Sequence, residues 1–230
     1  MIYISKLFSP IATGTAAGDI DVGATVKINE NGQQVDYLVV HQGSPSDIYD
    51  ASCEGTWCLR KDIAENRVWD SGNSNVLETS DIQAYLNGDW MNRYDPDVLQ
   101  AIKQVKIPYR QNGGSGGTDR TGSNGLQCRI FLLSGREVGW DSADNQYFPN
   151  DGAKLDYFID GTTSSANSRR VANLNGRASG WWLRSPYSSD SGNVWVVFSS
   201  GNYDNWVAGI SFGVRPCIIL PYSFKFQEVA

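Results

Sequence analysis

A single histidine limits the catalytic chemistry open to this chain. A Ser-His-Asp or Cys-His arrangement would have to use His41, which closes an alternating apolar stretch in VVHQG. At a strand end, a hydrogen-bonded imidazole needs no catalytic role. Zinc fits no better: HExxH is absent, and Cys53, Cys58 and His41 lack a fourth ligand at a usual spacing. Cys53 and Cys58 are spaced for a small loop-closing disulfide. Together with Cys128 and Cys217 they are too scattered for a disulfide framework, so free, partly buried thiols are expected. The tract GGSGGTDRTGS lacks the Gly-Lys-Ser/Thr ending of a phosphate loop. NSNVLETSD and SADNQYFPNDGAKLD are rich in oxygen ligands but lack the alternating acids, glycine and distal Glu of an EF-hand. A glycosidase pair among the 25 acidic residues is defined by spatial separation, which a sequence does not give. The expectation is no catalytic residue, no metal and no cofactor.

One stretch is unusual in another way. In WWLRSPYSSDSGNVWVVFSSGNYDNWVAGISFGVRP, residues 181–216, aromatic residues stand among Asn, Ser, Asp and Gly. Tyr and Trp give large rigid contact area at small entropic cost, and Ser, Asn and Gly adapt their hydrogen bonds, which is the composition of recognition loops. The competing reading is that these aromatics fill a core. Strand alternation would put Trp195 and Val197 on one side and Val196 and Phe198 on the other. Trp206, beside Asp204 and Asn205, is in a segment too polar for full burial; exposed together with Tyr203 it would form a patch that needs a partner.

The elements that must carry this stretch are legible in part. ATVKINENGQQVDYLVVHQG predicts a hairpin, with Val26 and Ile28 facing Val35, Tyr37 and Val39 across an Asn31-Gly32 tip. GTWCLRKDIAENRVW predicts a short strand and a helical turn. Thr79 or Ser80 caps a helix with Ile82, Tyr85 and Leu86 on one side and Gly88 at its end. A second helix starts at Asp95-Pro96, with Val98, Leu99, Ile102 and Val105 as its stripe, before Lys106–Tyr109 leaves extended. QNGGSGGTDRTGSNG reads as a flexible surface loop, and TTSSANSRRVANLNGRASG as a further loop. Between them, a strand at Ile130–Leu133 precedes a capped turn of helix at Ser134–Val138. After WWLRSP come two alternating segments around Ser199–Asn202, then VRPCIILPYSFKF as a buried final strand.

The 230 residues suit one domain, residues 23–230, behind a small-residue arm at 1–22 that could pack on a partner subunit. A net charge of −6 without a basic stripe argues against nucleic acid and against an anionic membrane surface. MIYISKLFSPIATGTAAGD fails as a secretion signal and is too short to span a bilayer. Export, on this reading, comes from assembly or lysis.

WWLRSP at 181–186, VFSSGN at 197–202 and GVRP at 213–216 resemble a bacterial and phage family with a formylglycine-generating-enzyme-like version of the C-type lectin fold. The likeness extends upstream to IQAYLNGDWMNRYDPDVLQAIKQVKIPY, IFLLSGREVGW and YFPNDGAKLDYF, and covers roughly residues 24–222. It implies an α+β, C-type lectin-like domain with irregular loops, two short helices and a C-terminal antiparallel strand set. Some members are variable proteins of diversity-generating retroelements, in which adenine-directed mutagenesis rewrites a C-terminal region. By that resemblance Trp181, Trp182, Leu183, Arg184, Gly213, Val214, Arg215 and Pro216 are framework, the arginines tying loops to carbonyls or carboxylates. About 187–212 is then the varied, ligand-binding set: Tyr187, Ser188, Ser189, Asp190, Asn193, Phe198, Asn202, Tyr203, Asp204, Asn205, Trp206, Gly209 and Ile210. AAC codons mutated at adenines give Asn, Ser, Asp, Tyr, Gly, Ile or Phe; Trp206 departs from this, since AAC cannot become a Trp codon that way.

The resemblance thus implies a non-enzymatic receptor-recognition protein of a phage or prophage. Its ligand would be a protein or glycan on a target-cell surface, and its location the virion or cell exterior after a cytoplasmic stage. A homo-oligomer would multiply a weak affinity. Two alternatives share the fold. A formylglycine-generating-type oxidase needs a reactive cysteine pair near the C-terminal end, where only Cys217 stands. A lectin would have to be calcium-independent, because Glu-Pro-Asn and Trp-Asn-Asp motifs are absent.

Overall fold

The structure, a computed structural model, describes residues 14–159 and 163–226, with the backbone alone for 163–166. It is mixed and strand-rich, of the α+β class. The chain runs β1 (Thr25–Glu30), β2 (Gln33–Gln42), β3 (Thr56–Arg60), β4 (Glu65–Val68), α1 (Asp81–Leu86), α2 (Pro96–Ala101) and then four short strands. These are β5 (Val105–Ile107), β6 (Tyr109–Gln111), β7 (Thr118–Arg120) and β8 (Leu126–Cys128). After β9 (Ile130–Phe131) and a long irregular passage come α3 (Thr163–Arg170), β10 (Ala172–Leu174) and β11 (Arg177–Ser179). The chain closes with β12 (Trp181–Pro186), β13 (Asn193–Val197), β14 (Tyr203–Val207), β15 (Ser211–Val214) and β16 (Cys217–Leu220).

Two five-stranded sheets organise these elements, in the orders β1-β2-β3-β16-β9 and β14-β13-β12-β15-β4. In the second, β12 and β15 run parallel, with Trp181 opposite Gly213, and the other pairs are antiparallel. The first hairpin forms as the alternation predicts, with Val26 opposite Tyr37 and Ile28 opposite Val35. Asn31 and Gly32 at its tip have φ of 52° and 73°, the paired left-handed backbone of a type I′ turn. Asn175-Gly176, with φ of 52° and 77°, turns the β10–β11 hairpin in the same way.

Both sheets have apolar side chains packed on each face. One core gathers Tyr37, Val39, Trp69, Trp90, Trp182, Val194, Val196 and Ile218. The other gathers Trp57, Phe131, Trp140, Phe148, Trp181, Leu183, Trp195, Val197 and Ile219. Successive residues of β12 and β13 therefore enter different cores. Alternation does not separate buried from exposed in Val194–Val197, because a central strand covered on both sides has no solvent face. The buried indoles stay satisfied: Trp69 Nε1 donates to Leu183 O (3.1 Å), Trp182 Nε1 to Arg67 O (2.8 Å) and Trp181 Nε1 to Arg170 O (3.0 Å).

Ser80 caps α1, its Oγ accepting from Gln83 N at 3.2 Å, and Ile82 and Leu86 are buried. Ser134 and Glu137 form a reciprocal capping box: Glu137 N donates to Ser134 Oγ (3.1 Å) and Ser134 N to Glu137 Oε2 (2.9 Å). All four cysteines are free and buried.

Four expectations are corrected. The segment after β3 makes strand β4 on the edge of the second sheet, not a helical turn, because Glu65–Val68 pairs with Ser211–Val214. Helix α2 stops at Ala101, and Val105 opens β5 opposite Cys128, so the helical stripe ends at its C-cap, Ile102. The glycine-rich tract is no loose loop: it includes β7 and part of β6, and Gly113 and Gly114 are buried where any side chain would collide with Asn75. The segment read as a second loop, 162–180, contains α3 and the β10–β11 hairpin. Of the expected arm, residues 1–13 lie outside the described residues; Ala17 N and Gly18 N donate to Phe224 O and Tyr222 O, tying the rest to the C-terminal segment.

Candidate recognition face and its frame

The frame is built around Arg184, 1% exposed in the middle of β12. Its fork meets Glu137 through Nη1–Oε2 (2.5 Å) and Nη2–Oε1 (2.7 Å). It also donates to Pro108 O, Leu132 O and Asp151 O at 3.1, 3.0 and 2.7 Å. Three separate irregular segments are thereby tied to one strand, as expected of this arginine. Tyr49 Oη adds a 2.7 Å bond to Glu137. Arg215 plays a smaller part: Nε donates to Arg60 O (2.9 Å), the guanidinium is 4.8 Å from the Trp181 ring centre, and buried Nη1 finds no partner among the described residues. Burial lowers its pKa to about 10. Gly213 leaves no room for a side chain against Ile63 and Gly180 O.

Asp151 sits at the edge of this network, with Oδ2 accepting from Ser185 Oγ (2.7 Å) and Oδ1 buried without a partner among the described residues. Burial raises its pKa from 3.8 to about 7, against the pull of Arg184. The native state thus holds a proton that the unfolded chain gives up near pH 4. Its contribution is complete below pH 4 and is lost as pH rises to about 7. Asp151→Asn is expected to remove this fall, measured as urea midpoints of both proteins at pH 4.5 and 7.5.

The turn after β12 is held rather than free. Asn75, fully buried, donates through Nδ2 to Asp190 O (3.1 Å) and Asn193 O (2.9 Å) and accepts from Gly114 N (2.9 Å). Asp190 Oδ1 accepts from Gly192 N and Asn193 N at 2.8 and 2.7 Å, Ser188 Oγ donates to Tyr147 O (2.8 Å), and Tyr187 packs on Tyr147 and Trp195. Of the residues singled out in this turn, Ser189 alone is exposed.

The β13–β14 hairpin divides the remaining candidates by face. In register, Val194 stands opposite Trp206 and Val196 opposite Asp204, while Val197 stands opposite Tyr203 and Trp195 opposite Asn205. On the first face Trp206 is 40% exposed on the edge strand and stacks with Phe198 at 6.4 Å; Phe212 lies 6.1 Å from Trp206 and 6.2 Å from Phe198. This is an aromatic patch at the margin of the first core, exposed at Trp206 and half-buried at Phe198 and Phe212, with half-buried Asp204 on the same face. The expected exposure of Trp206 holds. Tyr203 turns the other way and wedges between Trp140 (5.3 Å), Phe148 (5.4 Å) and Trp195 (5.6 Å), its hydroxyl on Asp144 O (3.0 Å). The expected patch of Trp206 with Tyr203 is therefore corrected: the two lie on opposite sides of one strand, three residues apart. Asn205 is bonded to Asn193, Asn202 is exposed and accepts from Asn167, Ile210 packs on the first core, and a side chain at Gly209 would strike Asn73.

Half-buried Phe212 joins this face without having been singled out in the sequence, whereas Val207, 44% exposed, lies on the other side of β14 in step with Tyr203 and Asn205. Phe212 was findable from its strand position beside Gly213. Val207 was not, since an apolar residue next to Trp206 reads as buried. Away from this face His41 Nδ1 meets Asp156 Oδ2 at 2.8 Å, with Trp57 edge-on. Among the described residues no three His, Cys, Asp or Glu side chains are placed to hold a metal ion, and no helix is long and apolar enough to cross a membrane. Residues 54–222 match the family described as "Domain of unknown function (DUF6273)". No curated protein and no solved structure matches the chain.

Proposed function

The chain belongs to the DUF6273 family, and from that premise we propose that it is a non-enzymatic binding protein with a C-type lectin-like fold. Its recognition surface is the open face of the last hairpin, centred on Trp206, Phe198 and Phe212 and flanked by Asp204. The carrying observation is the exposure of Trp206 on an edge strand whose inner neighbour, β13, is buried on both faces. A domain that sets an exposed tryptophan on an edge strand, beside Phe198 and Phe212 half-buried on the first core, invites a partner, and a strand locked from behind holds it without an ordering cost. The partner is a protein or glycan on a target-cell surface, the setting phage or prophage host recognition, and the diversity of the face the work of a retroelement. The oxidase alternative is disfavoured by Cys217, whose thiol is fully buried and whose pKa burial drives far up.

Two experiments test this. Labelled protein should stain a subset of a panel of intact bacteria, and a Phe198→Ser/Trp206→Ser double variant should lose at least about tenfold of that binding; equal staining by both, or none by either, rejects the face. For the retroelement, the neighbouring DNA should hold a reverse transcriptase and a near-copy of the 187–212 coding region differing at adenines. Absence of the copy rejects diversification and leaves the binding role to the staining result.

A further inference from the structure

The opposite side of the same hairpin borders a cleft of about 570 Å³, lined by Trp140, Asp144, Lys154, Arg170, Asn202 and Tyr203 among others. Arg170 is its floor. The residue is 5% exposed; Nε donates to Val138 O (2.7 Å), Nη1 to Asn167 Oδ1 (3.0 Å), and the guanidinium lies 4.0 Å from the Trp140 ring centre. Nη2 donates to no group among the described residues. A Cβ built on Gly139 would lie 3.2 Å from that nitrogen and 3.4 Å from Lys154 Cε, so the two cations converge over a glycine that keeps the space between them open. Gly139 also has φ of +100°, a second reason for glycine there.

Neither Arg170 nor Lys154 has a carboxylate within ion-pair distance among the described residues. In a chain of net charge −6, two cations with no carboxylate at ion-pair distance among the described residues, and Asp144 acting on Arg170 only from further off, select an anion. Burial of Arg170 lowers its pKa to about 10, a cost that a bound anion offsets.

The rest of the lining tells which anion. Asp144 is exposed at the cleft, and the amides of Asn167 and Asn202 are joined at 2.8 Å beside it. A carboxylate at the rim repels a polyanion or an acidic peptide, but accepts from hydroxyls. Ile159, half exposed, offers an apolar contact for C–H groups. One negative charge together with several hydroxyls describes a sugar acid, and the volume suits one or two rings. We propose that this cleft binds a carboxylate-bearing sugar, with Arg170 Nη2 and Lys154 on the carboxylate and Asp144, Asn167 and Asn202 on the hydroxyls. The site uses the sheet face opposite Trp206 and stands apart from the recognition reading above.

The test is a titration of the full chain with D-glucuronate and with N-acetylneuraminate, followed by protein NMR at Gly139, Trp140 and Tyr203. D-glucose, acetate and inorganic phosphate serve as comparison ligands. At least one sugar acid should shift these signals saturably, with glucose, acetate and phosphate each at least about tenfold weaker. Lys154→Glu, on an exposed side chain, should weaken the sugar acid by about tenfold or more, and Trp206→Ser should leave it unchanged. Glucose binding as tightly as the acid would show that charge is not read. Acetate or phosphate binding as tightly would show that the hydroxyls are not. Either result overturns the proposal, as does an unaffected Lys154→Glu variant or the absence of any shift with both acids.

Discussion

Arg184→Ala is expected to lower stability by about 3–5 kcal/mol, enough to unfold much of the population in a domain whose total stability is on the order of 5–15 kcal/mol. The substitution strands Glu137, fully buried and left with Tyr49 Oη and Ser134 N but no cation. It also takes the side-chain donor from Pro108 O, Leu132 O and Asp151 O, which lie on separate segments. Arg184→Lys should recover little, because one ammonium cannot reproduce a fork that meets both oxygens of Glu137 and three carbonyls. Urea denaturation of the two variants and the parent checks this. Arg215, which looks equivalent in the sequence, donates to Arg60 O and leaves Nη1 unpaired, so Arg215→Met should cost clearly less than Arg184→Ala.

The second large effect separates two aromatics on one strand. Tyr203→Ala should cost about 3 kcal/mol, since it empties a site between Trp140, Phe148 and Trp195 and frees Asp144 O. Trp206→Ala should cost about 1 kcal/mol or less, because its ring is partly in water and closes neither core. Thermal melts of both variants at one pH are sufficient. Equal losses would place Trp206 in the structural packing and remove the centre of the recognition face.

The sequence spoke most clearly where one local rule had no rival. Asn31-Gly32 between alternating segments and Ser80 before an apolar stripe each led to the element that forms. It spoke misleadingly where composition stood in for contacts. Gly113 and Gly114 read as a flexible loop, yet a side chain on Gly113 would strike Asn75 and one on Gly114 the carbonyls of Asp190 and Tyr187. Asn175-Gly176 carried the same turn signal as Asn31-Gly32, but Ser and Asn around it hid the hairpin. Within the candidate face, polar residues that read as adaptable contacts, Ser188, Asp190 and Asn193, spend their side-chain hydrogen bonds inside the protein, on Tyr147 O, on the turn's own amides and on Asn205. The turn's backbone is likewise held by a distant partner, Asn75, more than a hundred residues away. The cleft was illegible for the same reason: Lys154 and Arg170 are unremarkable in sequence and meet only over Gly139.

The proposed recognition surface is a changeable face mounted on a fixed frame, and a complete single-substitution scan of residues 181–216 read by protease resistance separates the two. Ser189, Phe198, Asn202, Asp204, Trp206 and Val207 should accept most substitutions with the fold intact, while Trp181, Trp182, Arg184, Asp190, Trp195, Tyr203, Gly209 and Gly213 should accept few. If Phe198 and Trp206 prove as intolerant as Trp182 and Trp195, the aromatic patch belongs to the core and the recognition face does not exist.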